Sequence, residues 1–188
     1  MSFQKNRYCI IKNVIPKILG EFCARCLEMK QYNLNVLRAE RYIAPGNMDH
    51  GFYVDTQVPN TFCIYGDAVM ETLFHYVKPT MEKVTKLKLY ETYAYARLYK
   101  GGDILERHKD RLSCEISTTL NLAGDPWPIF LDPKGAGDDS GPEYIPLNNK
   151  GIKVILNPGD MLVYKGMELE HWREKFKGNT CAQVFLHF

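Results

Sequence analysis

The pattern of hydrophobic and polar positions in the first half of the chain predicts two amphipathic helices. Residues 7–12 are rich in β-branched side chains and predict a short strand. Pro16 opens a helix that we expect to end near Lys30, because proline favours the first helical turn. Asp67 is a suitable N-cap for a second helix, whose apolar face consists of Met70, Leu73, Val77, Met81 and Val84. Pro79 lies inside this second helix and predicts that it is kinked or split.

From Tyr90 the pattern changes to that of strands. Between Thr92 and Tyr99 the residues alternate, with one face formed by Tyr93, Tyr95, Arg97 and Tyr99. Further short strands are predicted at residues 61–65, 114–122, 127–131, 152–156, 161–164 and 181–188. This order of elements predicts a mostly β fold with flanking helices, an antiparallel sandwich or jelly roll. We expect one domain over residues 1–188, with N-terminal helical support in 1–89 and the β core in 90–188.

Composition and charge narrow the range of function classes. The chain has 188 residues, of which 45% are hydrophobic and 24% are charged, and these fractions exclude a disordered chain, a coiled coil and a collagenous repeat. No apolar run reaches about 18 residues, so we expect no membrane-spanning segment. The formal net charge of +2 argues against a nucleic acid as the main partner, because phosphate-binding surfaces need a strong basic excess. No pattern predicts an oligomeric state.

The cysteines and the N-terminus predict a cytoplasmic protein. We expect reduced thiols rather than disulfides, because the six cysteines are scattered in spacing along a chain without a secretory signal. Cys23 and Cys26 form a CxxC pair, but no second pair accompanies it. Because this pair falls in a helical pattern with Ile18 and Phe22, we interpret it as two buried cysteines rather than a zinc or redox site.

Two of the five histidines stand in a pattern that suits metal binding. His108 and Asp110 are two residues apart at the end of a predicted strand, so their side chains point to the same side. His171 follows a Pro-Gly-Asp turn and another strand much later in the chain. Two imidazoles and one carboxylate on one face of an octahedron form the facial triad of non-haem Fe(II) oxygenases, which keeps other coordination positions open. These three residues are therefore candidate ligands of one metal ion, although a histidine and an aspartate two residues apart at a strand end are also common without a metal.

The segments around these residues resemble two motifs of a known enzyme family. Residues 95–110, which end in His-Lys-Asp, and residues 157–173, which begin with Asn-Pro-Gly-Asp, are similar to the iron-binding motifs of 2-oxoglutarate/Fe(II)-dependent dioxygenases. The likeness is greatest to the prolyl-4-hydroxylase-like branch and covers residues 90–188. It implies a double-stranded β-helix, in which His108, Asp110 and His171 bind iron and Tyr99 lines the 2-oxoglutarate pocket.

The residue that binds the far carboxylate of 2-oxoglutarate departs from the family pattern. The prolyl-4-hydroxylase-like branch has a basic residue at the positions that correspond to Thr180 and Cys181, and neither of these is basic. A carboxylate buried in a barrel needs a charged partner, because its desolvation otherwise prevents binding. Another cationic side chain must therefore take this role.

Four basic residues are candidates for this anchor. Arg173 and Lys177 follow the second histidine closely, and Arg97 and Arg111 are more remote alternatives. We prefer Arg173, because a guanidinium can bind a carboxylate through two hydrogen bonds and Lys177 is expected to face solvent. Neutral hydrogen bonds to the cosubstrate are expected from Thr118, Thr180 and Gln183.

The resemblance implies an oxidoreductase that uses Fe(II), 2-oxoglutarate and O2, with ascorbate as a candidate reductant. Such an enzyme hydroxylates a C–H bond while 2-oxoglutarate is converted to succinate. The leading substrate is a prolyl residue of a peptide or protein, over which the acidic, glycine-rich segment 132–150 is a candidate flap. The alternatives are a free amino acid or other small metabolite, nucleobase demethylation, and a catalytically silent jelly-roll binding module. The complete set of two histidines and one aspartate argues against the silent module.

Overall fold

The computed structural model describes residues 2–134 and 145–188 of the chain. Within these ranges the helices are α1 (Phe3–Asn6), α2 (Lys17–Ala39) and α3 (Ala68–Thr85). The strands are β1 (Tyr8–Ile11), β2 (Phe62–Tyr65), β3 (Tyr93–Lys100), β4 (Leu105–His108), β5 (Ile116–Gly124), β6 (Ile129–Leu131), β7 (Ile152–Val154), β8 (Met161–Lys165), β9 (His171–Arg173) and β10 (Thr180–His187). No helix in the described ranges is long and apolar enough to cross a lipid bilayer.

The strands form two sheets that face each other. The larger sheet has the order β1-β8-β5-β10-β3-β2 and the smaller sheet has the order β4-β9-β6-β7. The strand pairs within both sheets are antiparallel. From β3 to β10 the chain passes back and forth between the sheets, which is the arrangement of a double-stranded β-helix. The predicted fold class, mostly β with flanking helices, is confirmed.

The N-terminal part of the chain supports this barrel with strands as well as helices. β1 pairs with β8 and β2 pairs with β3, so both extend the larger sheet at its edges. The main hydrophobic cluster joins the helices to the outer face of this sheet through Leu27, Leu34, Met70, Phe74, Ile116, Leu120 and Val184. α2 approaches β5 closely at Gly20, where an added Cβ would lie 2.5 Å from the carbonyl oxygen of Leu122.

α2 is longer than predicted and buries a different face. It continues nine residues beyond Lys30, to Ala39, because residues 31–39 contain no glycine or proline that would end it. The buried side chains are those of Cys23, Ala24, Leu27 and Leu34, together with Gly20. Ile18 and Phe22, which the prediction placed with the buried cysteines, are instead exposed, and Cys26 is only partly buried.

α3 begins as predicted and remains one helix. The side chain of Asp67 accepts hydrogen bonds from the backbone N–H groups of Val69 and Met70, which caps the helix. The expectation that Pro79 splits the helix is wrong, since α3 runs through it to Thr85. Pro79 lies on the exposed side, where water can hydrogen-bond to the carbonyl group that the missing N–H leaves free.

Candidate metal centre

Three side chains from the smaller sheet and the turn after β4 meet at one point of the barrel interior. β4 and β9 pair so that His108 lies opposite His171, and Asp110 follows β4 by two residues. Oδ1 of Asp110 lies 3.8 Å from Nε2 of His108 and 3.5 Å from Nε2 of His171. One ligand atom from each of the three residues lies within 4.8 Å of the other two. This cluster has the size and composition to hold one metal ion.

The backbone fixes which nitrogen of each imidazole faces the cluster. Nδ1 of His108 lies 2.8 Å from the carbonyl oxygen of Glu106, and Nδ1 of His171 lies 2.9 Å from that of Leu169. A carbonyl oxygen only accepts a hydrogen bond, so Nδ1 carries the hydrogen in both rings. The lone pair is therefore on Nε2, which faces Asp110 and is the atom that would bind a metal.

The carboxylate of Asp110 is held on one side only. Oδ2 accepts a hydrogen bond of 2.5 Å from the hydroxyl of Ser117, and that hydroxyl lies 3.0 Å from Nδ1 of His187. The backbone N–H of Asp110 donates to the carbonyl of Gly166, and a Cβ at Gly166 would lie 2.3 Å from Oδ2. These contacts occupy Oδ2 and leave Oδ1 directed at the two histidines.

The protonation states of the cluster suit metal binding. Burial lowers the pKa of His108 to about 4, and the neighbouring His171 acts in the same direction. Burial also lowers the pKa of His187 to about 4. Burial alone would raise the pKa of Asp110, but His171, together with His187 and His108, lowers it below its usual range. At neutral pH His108 is therefore neutral and Asp110 ionised, which are the forms that bind a metal.

The cluster lies in the wall of a cavity of about 1020 Å³. All four members of the β3 face that the alternation predicts, Tyr93, Tyr95, Arg97 and Tyr99, line this cavity. The irregular segment before β2 contributes Met48, Phe52, Val54, Asp55 and Gln57, which the sequence analysis did not assign to the site. Several aromatic rings line the cavity, among them Tyr65 and Tyr95 with ring centroids 4.4 Å apart.

Arg97 attaches this irregular segment to the barrel. Its Nη2 donates to Oδ2 of Asp55 at 2.6 Å and to Oε1 of Gln57 at 3.0 Å, and the hydroxyl of Tyr95 also donates to Asp55 at 2.5 Å. Burial alone would raise the pKa of Asp55, but Tyr95 and Arg97 lower it overall. Because Arg97 already has a carboxylate partner, it is less suited to bind a second one.

Arg173 is buried without a carboxylate partner among the described residues. It is 1% exposed and follows His171 by two positions on β9, so both side chains face the interior. Its Nη2 donates to Oγ1 of Thr119 at 3.1 Å and to Oε1 of Gln183 at 2.9 Å, and its Nη1 donates to the backbone carbonyl of Trp127. Its Nε has no hydrogen-bond partner.

The hydroxyl of Tyr99 is a second buried polar atom without a hydrogen-bond partner in the described part of the chain. Burial raises the pKa of Tyr99, and both Arg97 and Arg173 act to lower it, so this phenol lies within the field of two guanidinium groups. Burial lowers the pKa of Arg173, because a cation far from water is costly unless an anion accompanies it. An unpaired Nε and an unpaired phenol beside a buried cation fit the carboxylate of a bound ligand.

The predicted role of Thr118 is contradicted by its orientation. Its Oγ1 accepts a hydrogen bond from the backbone N–H of Leu186, and its neighbours Ile116 and Leu120 face the helices. The alternation of β5 instead turns Thr119 towards Arg173. The prediction was displaced by one residue, which on a strand places a side chain on the opposite face.

The other residues that the sequence predicts to bind the cosubstrate differ in their exposure and in their position relative to the cavity. Lys177 is exposed and lies outside the cavity that the three metal-binding candidates line, and Thr180 is also exposed. Gln183 is buried beside Arg173. Arg111 lines the cavity near its mouth, where it donates to the hydroxyls of Tyr65 and Tyr93. Most of the candidate flap, residues 135–144, lies outside the described residues.

Comparison with known proteins supports this fold. No protein-family model matches the sequence, and no curated protein matches it. A prolyl-4-hydroxylase from Pseudomonas putida has a TM-score of 0.60 and 13% identity, over 98% of this chain and 94% of that one. HygX from Streptomyces hygroscopicus, solved with nickel and 2-oxoglutarate bound, has a TM-score of 0.62 and 12% identity, over 98% and 83%. SnoN, a non-haem α-ketoglutarate-dependent epimerase from nogalamycin biosynthesis, has a TM-score of 0.65 and 10% identity, over 98% and 80%.

At these identities the likeness establishes the fold. The chain shares the double-stranded β-helix fold of these solved structures, and the predicted fold is confirmed. The cluster of His108, Asp110 and His171 supplies the two-histidine, one-carboxylate donor set that suits Fe(II).

Proposed function

We propose that this protein is an Fe(II)- and 2-oxoglutarate-dependent dioxygenase that hydroxylates a C–H bond. The observation that carries this proposal is the pairing of two features inside one barrel. A cluster of two histidines and one aspartate lies in the cavity wall, and a buried arginine, which has no carboxylate partner among the described residues, lies on the strand that carries the second histidine. The histidine and aspartate cluster suits a metal ion, and the buried arginine suits an anionic cosubstrate.

His108, Asp110 and His171 would hold Fe(II) through two Nε2 atoms and one carboxylate oxygen. Bound Fe(II), with 2-oxoglutarate and dioxygen, supplies the oxidising power for hydroxylation, while 2-oxoglutarate is converted to succinate and carbon dioxide. The backbone carbonyls of Glu106 and Leu169 hold the imidazoles of His108 and His171 in the orientation that would direct Nε2 at the metal. Ascorbate remains a candidate reductant of the metal.

Arg173 and Tyr99 would bind the far carboxylate of 2-oxoglutarate. The guanidinium keeps an unpaired Nε, and the phenol keeps an unpaired O–H, so together they can donate two hydrogen bonds to one carboxylate. Thr119 and Gln183 accept from Nη2 and thereby hold the guanidinium in place. The negative charge of the cosubstrate would pair with the buried cation and offset part of its desolvation cost.

A prolyl residue of a peptide or protein is the substrate that we propose first. The aromatic side chains that line the cavity, Phe52, Tyr65, Tyr93, Tyr95 and Phe185, offer apolar walls for a small saturated ring. The Pseudomonas putida prolyl-4-hydroxylase aligns with this chain over nearly the full length of both. A small metabolite is the alternative, since HygX has been solved with hygromycin B bound.

Succinate formation tests the reaction class. Protein purified without oxygen is supplied with Fe(II), 2-oxoglutarate and air, with and without candidate substrates, and succinate is measured. We expect turnover by the wild type, loss of turnover in His108→Ala, and normal turnover in His75→Ala, a control because this side chain is 74% exposed on α3. Absence of turnover under every condition, or turnover that survives His108→Ala, contradicts the proposal.

The cosubstrate anchor is tested by a matched pair of substitutions. Arg173→Ala should raise the 2-oxoglutarate concentration needed for half-maximal turnover at least about thirtyfold, because truncating one partner of a buried charge pair costs roughly 2–5 kcal/mol. Lys177→Ala removes an exposed cation and should leave this concentration unchanged. If Lys177→Ala raises this concentration more than Arg173→Ala does, Lys177 and not Arg173 binds the far carboxylate.

Mass spectrometry distinguishes the substrate classes. A proline-containing peptide that gains the mass of one oxygen atom, and does so only with active protein, supports the prolyl proposal. Succinate formation that is stimulated by free amino acids or other small molecules, and not by any prolyl peptide, replaces it with the small-metabolite alternative.

A further inference from the structure

α2 exposes a continuous apolar stripe on the side that faces away from the barrel. Five large hydrophobic side chains on this helix are strongly exposed, namely Ile18 at 73%, Phe22 at 59%, Met29 at 58%, Tyr32 at 63% and Val36 at 39%. The helix already buries its opposite face against the larger sheet through Cys23, Ala24, Leu27 and Leu34. The stripe is therefore additional to what the fold of one chain requires.

The spacing of these residues is that of a helix-pairing seam. Positions 18, 22, 25, 29, 32 and 36 are separated alternately by four and three residues, which is the repeat by which two helices pack along their length. Arg25 is the one polar member of this set. We call these six residues the α2 seam. A helix of 23 residues is about 35 Å long, so the seam runs along most of it.

The charges near the middle of the α2 seam favour an antiparallel over a parallel arrangement of two paired α2 helices. Arg25 lies 2.6 Å from Glu28 of its own chain, and both are exposed. In a parallel pair of α2 helices, Arg25 would face a second Arg25 in the same layer, which is unfavourable. In an antiparallel pair centred near residue 27, each Arg25 lies beside Met29 and Glu28 of the other copy. Ile18 then meets Val36, and Phe22 meets Tyr32.

We propose that the α2 seam is a dimerisation surface on which a second copy of this chain docks in antiparallel direction. The seam is self-complementary under a two-fold rotation, as a symmetric dimer interface must be. A single pair of helices lies at the small end of specific interfaces, so the dimer should have a dissociation constant in the micromolar range. The seam is remote from the cavity, and the proposal does not depend on the reaction assigned above.

Analytical ultracentrifugation of the full chain tests the dimer. The measured mass of the wild type should increase from that of one chain, 21.7 kDa, towards twice that value as the protein concentration rises through the micromolar range. Phe22→Glu should weaken this association at least tenfold, because it buries a carboxylate against Tyr32 of the other copy in an apolar layer. Tyr76→Glu is the control, since Tyr76 is 58% exposed on α3, and it should dimerise as the wild type does.

A charge exchange tests the antiparallel direction. Arg25→Glu should weaken the dimer, because it brings acidic residues together near the two-fold axis, and the double variant Arg25→Glu with Glu28→Arg should restore it. A wild type that remains monomeric throughout this range, or a dimer that Phe22→Glu leaves intact, overturns the proposal. A dimer that loses affinity in the double variant as much as in the single one overturns the antiparallel arrangement.

Discussion

Ser117 holds the carboxylate of the candidate metal centre in its orientation. Its hydroxyl is fully buried and binds Oδ2 of Asp110, while His187 contacts the same hydroxyl from β10. Residues that orient metal ligands in this way affect metal affinity without touching the ion. The side chains of β5 and β10 therefore influence a site whose ligands all come from other segments.

Ser117→Ala should weaken metal binding about 10- to 100-fold, because Oδ2 of Asp110 loses the hydrogen bond that orients it. The measurement is the dissociation constant of Fe(II) under anaerobic conditions. Ser113→Ala removes an exposed hydroxyl four residues earlier and serves as the control. An affinity of Ser117→Ala within about twofold of that of the control would contradict this role.

Site residues that lie in a local sequence motif could be predicted. Site residues on β5 could not, because their role depends on which face of the strand points into the barrel. The spacing of His108, Asp110 and His171, together with the resemblance of their flanking segments to two motifs of a known family, predicts the metal ligands, and the structure brings them together. Thr118 was chosen instead of Thr119 because nothing in the local pattern of residues 116–122 shows which residues face the interior. Ser117 was missed for the same reason.

At the scale of elements, α2 shows the limits of hydrophobic periodicity. Two apolar stripes run along this helix, one through Cys23, Leu27 and Leu34 and one through Phe22 and Met29. Each has helical spacing, so the sequence alone cannot decide which stripe packs on the sheet. Gly20 marks the buried side, because the helix there comes close to the backbone of β5.

Gly20→Ala should destabilise the protein by about 1–3 kcal/mol, the usual cost of overpacking. Alanine is the better helix former by about 1 kcal/mol, but its Cβ would lie 2.5 Å from the carbonyl oxygen of Leu122. The free energy of unfolding in urea measures the difference. Gly46→Ala is the control, since nothing lies within 4 Å of its added Cβ. A stabilised Gly20→Ala variant would show that this close approach does not constrain α2.

At the scale of the whole molecule, distant segments come together in ways that no local pattern predicts. Residues 48–57 join the cavity wall because Asp55 pairs with Arg97, which is 42 residues later in the chain. The arrangement of β3 to β10 was predictable only as a fold class. The order of strands and the edge positions of β1 and β2 emerge from the structure.

The metal-free protein should lose stability between pH 7 and pH 5. His108 and His187 have pKa values of about 4 in the folded chain against about 6.5 when unfolded. The unfolded state therefore binds more protons in this range, and each histidine lowers the free energy of unfolding by about 2 kcal/mol at pH 5 relative to pH 7. Below pH 4 both histidines are protonated in the folded and in the unfolded state, so a further decrease in pH no longer lowers the free energy of unfolding through them.

Urea unfolding in the presence of a chelator measures this effect. His187→Asn should reduce the pH dependence between pH 7 and pH 5, because one of the two buried imidazoles is removed. His75→Asn, at an exposed position of α3, should not. Equal pH dependence in His187→Asn and the wild type would contradict the assignment of this effect to the buried histidine.

An anaerobic Fe(II) titration shows whether His108, Asp110 and His171 bind one metal ion. We expect one ion per wild-type chain, no specific binding by Asp110→Ala, and normal binding by Asp49→Ala, which removes an exposed carboxylate that lines the same cavity. A wild type that binds no Fe(II), or an Asp110→Ala variant that binds it as tightly as the wild type, would show that these three residues do not form a metal site.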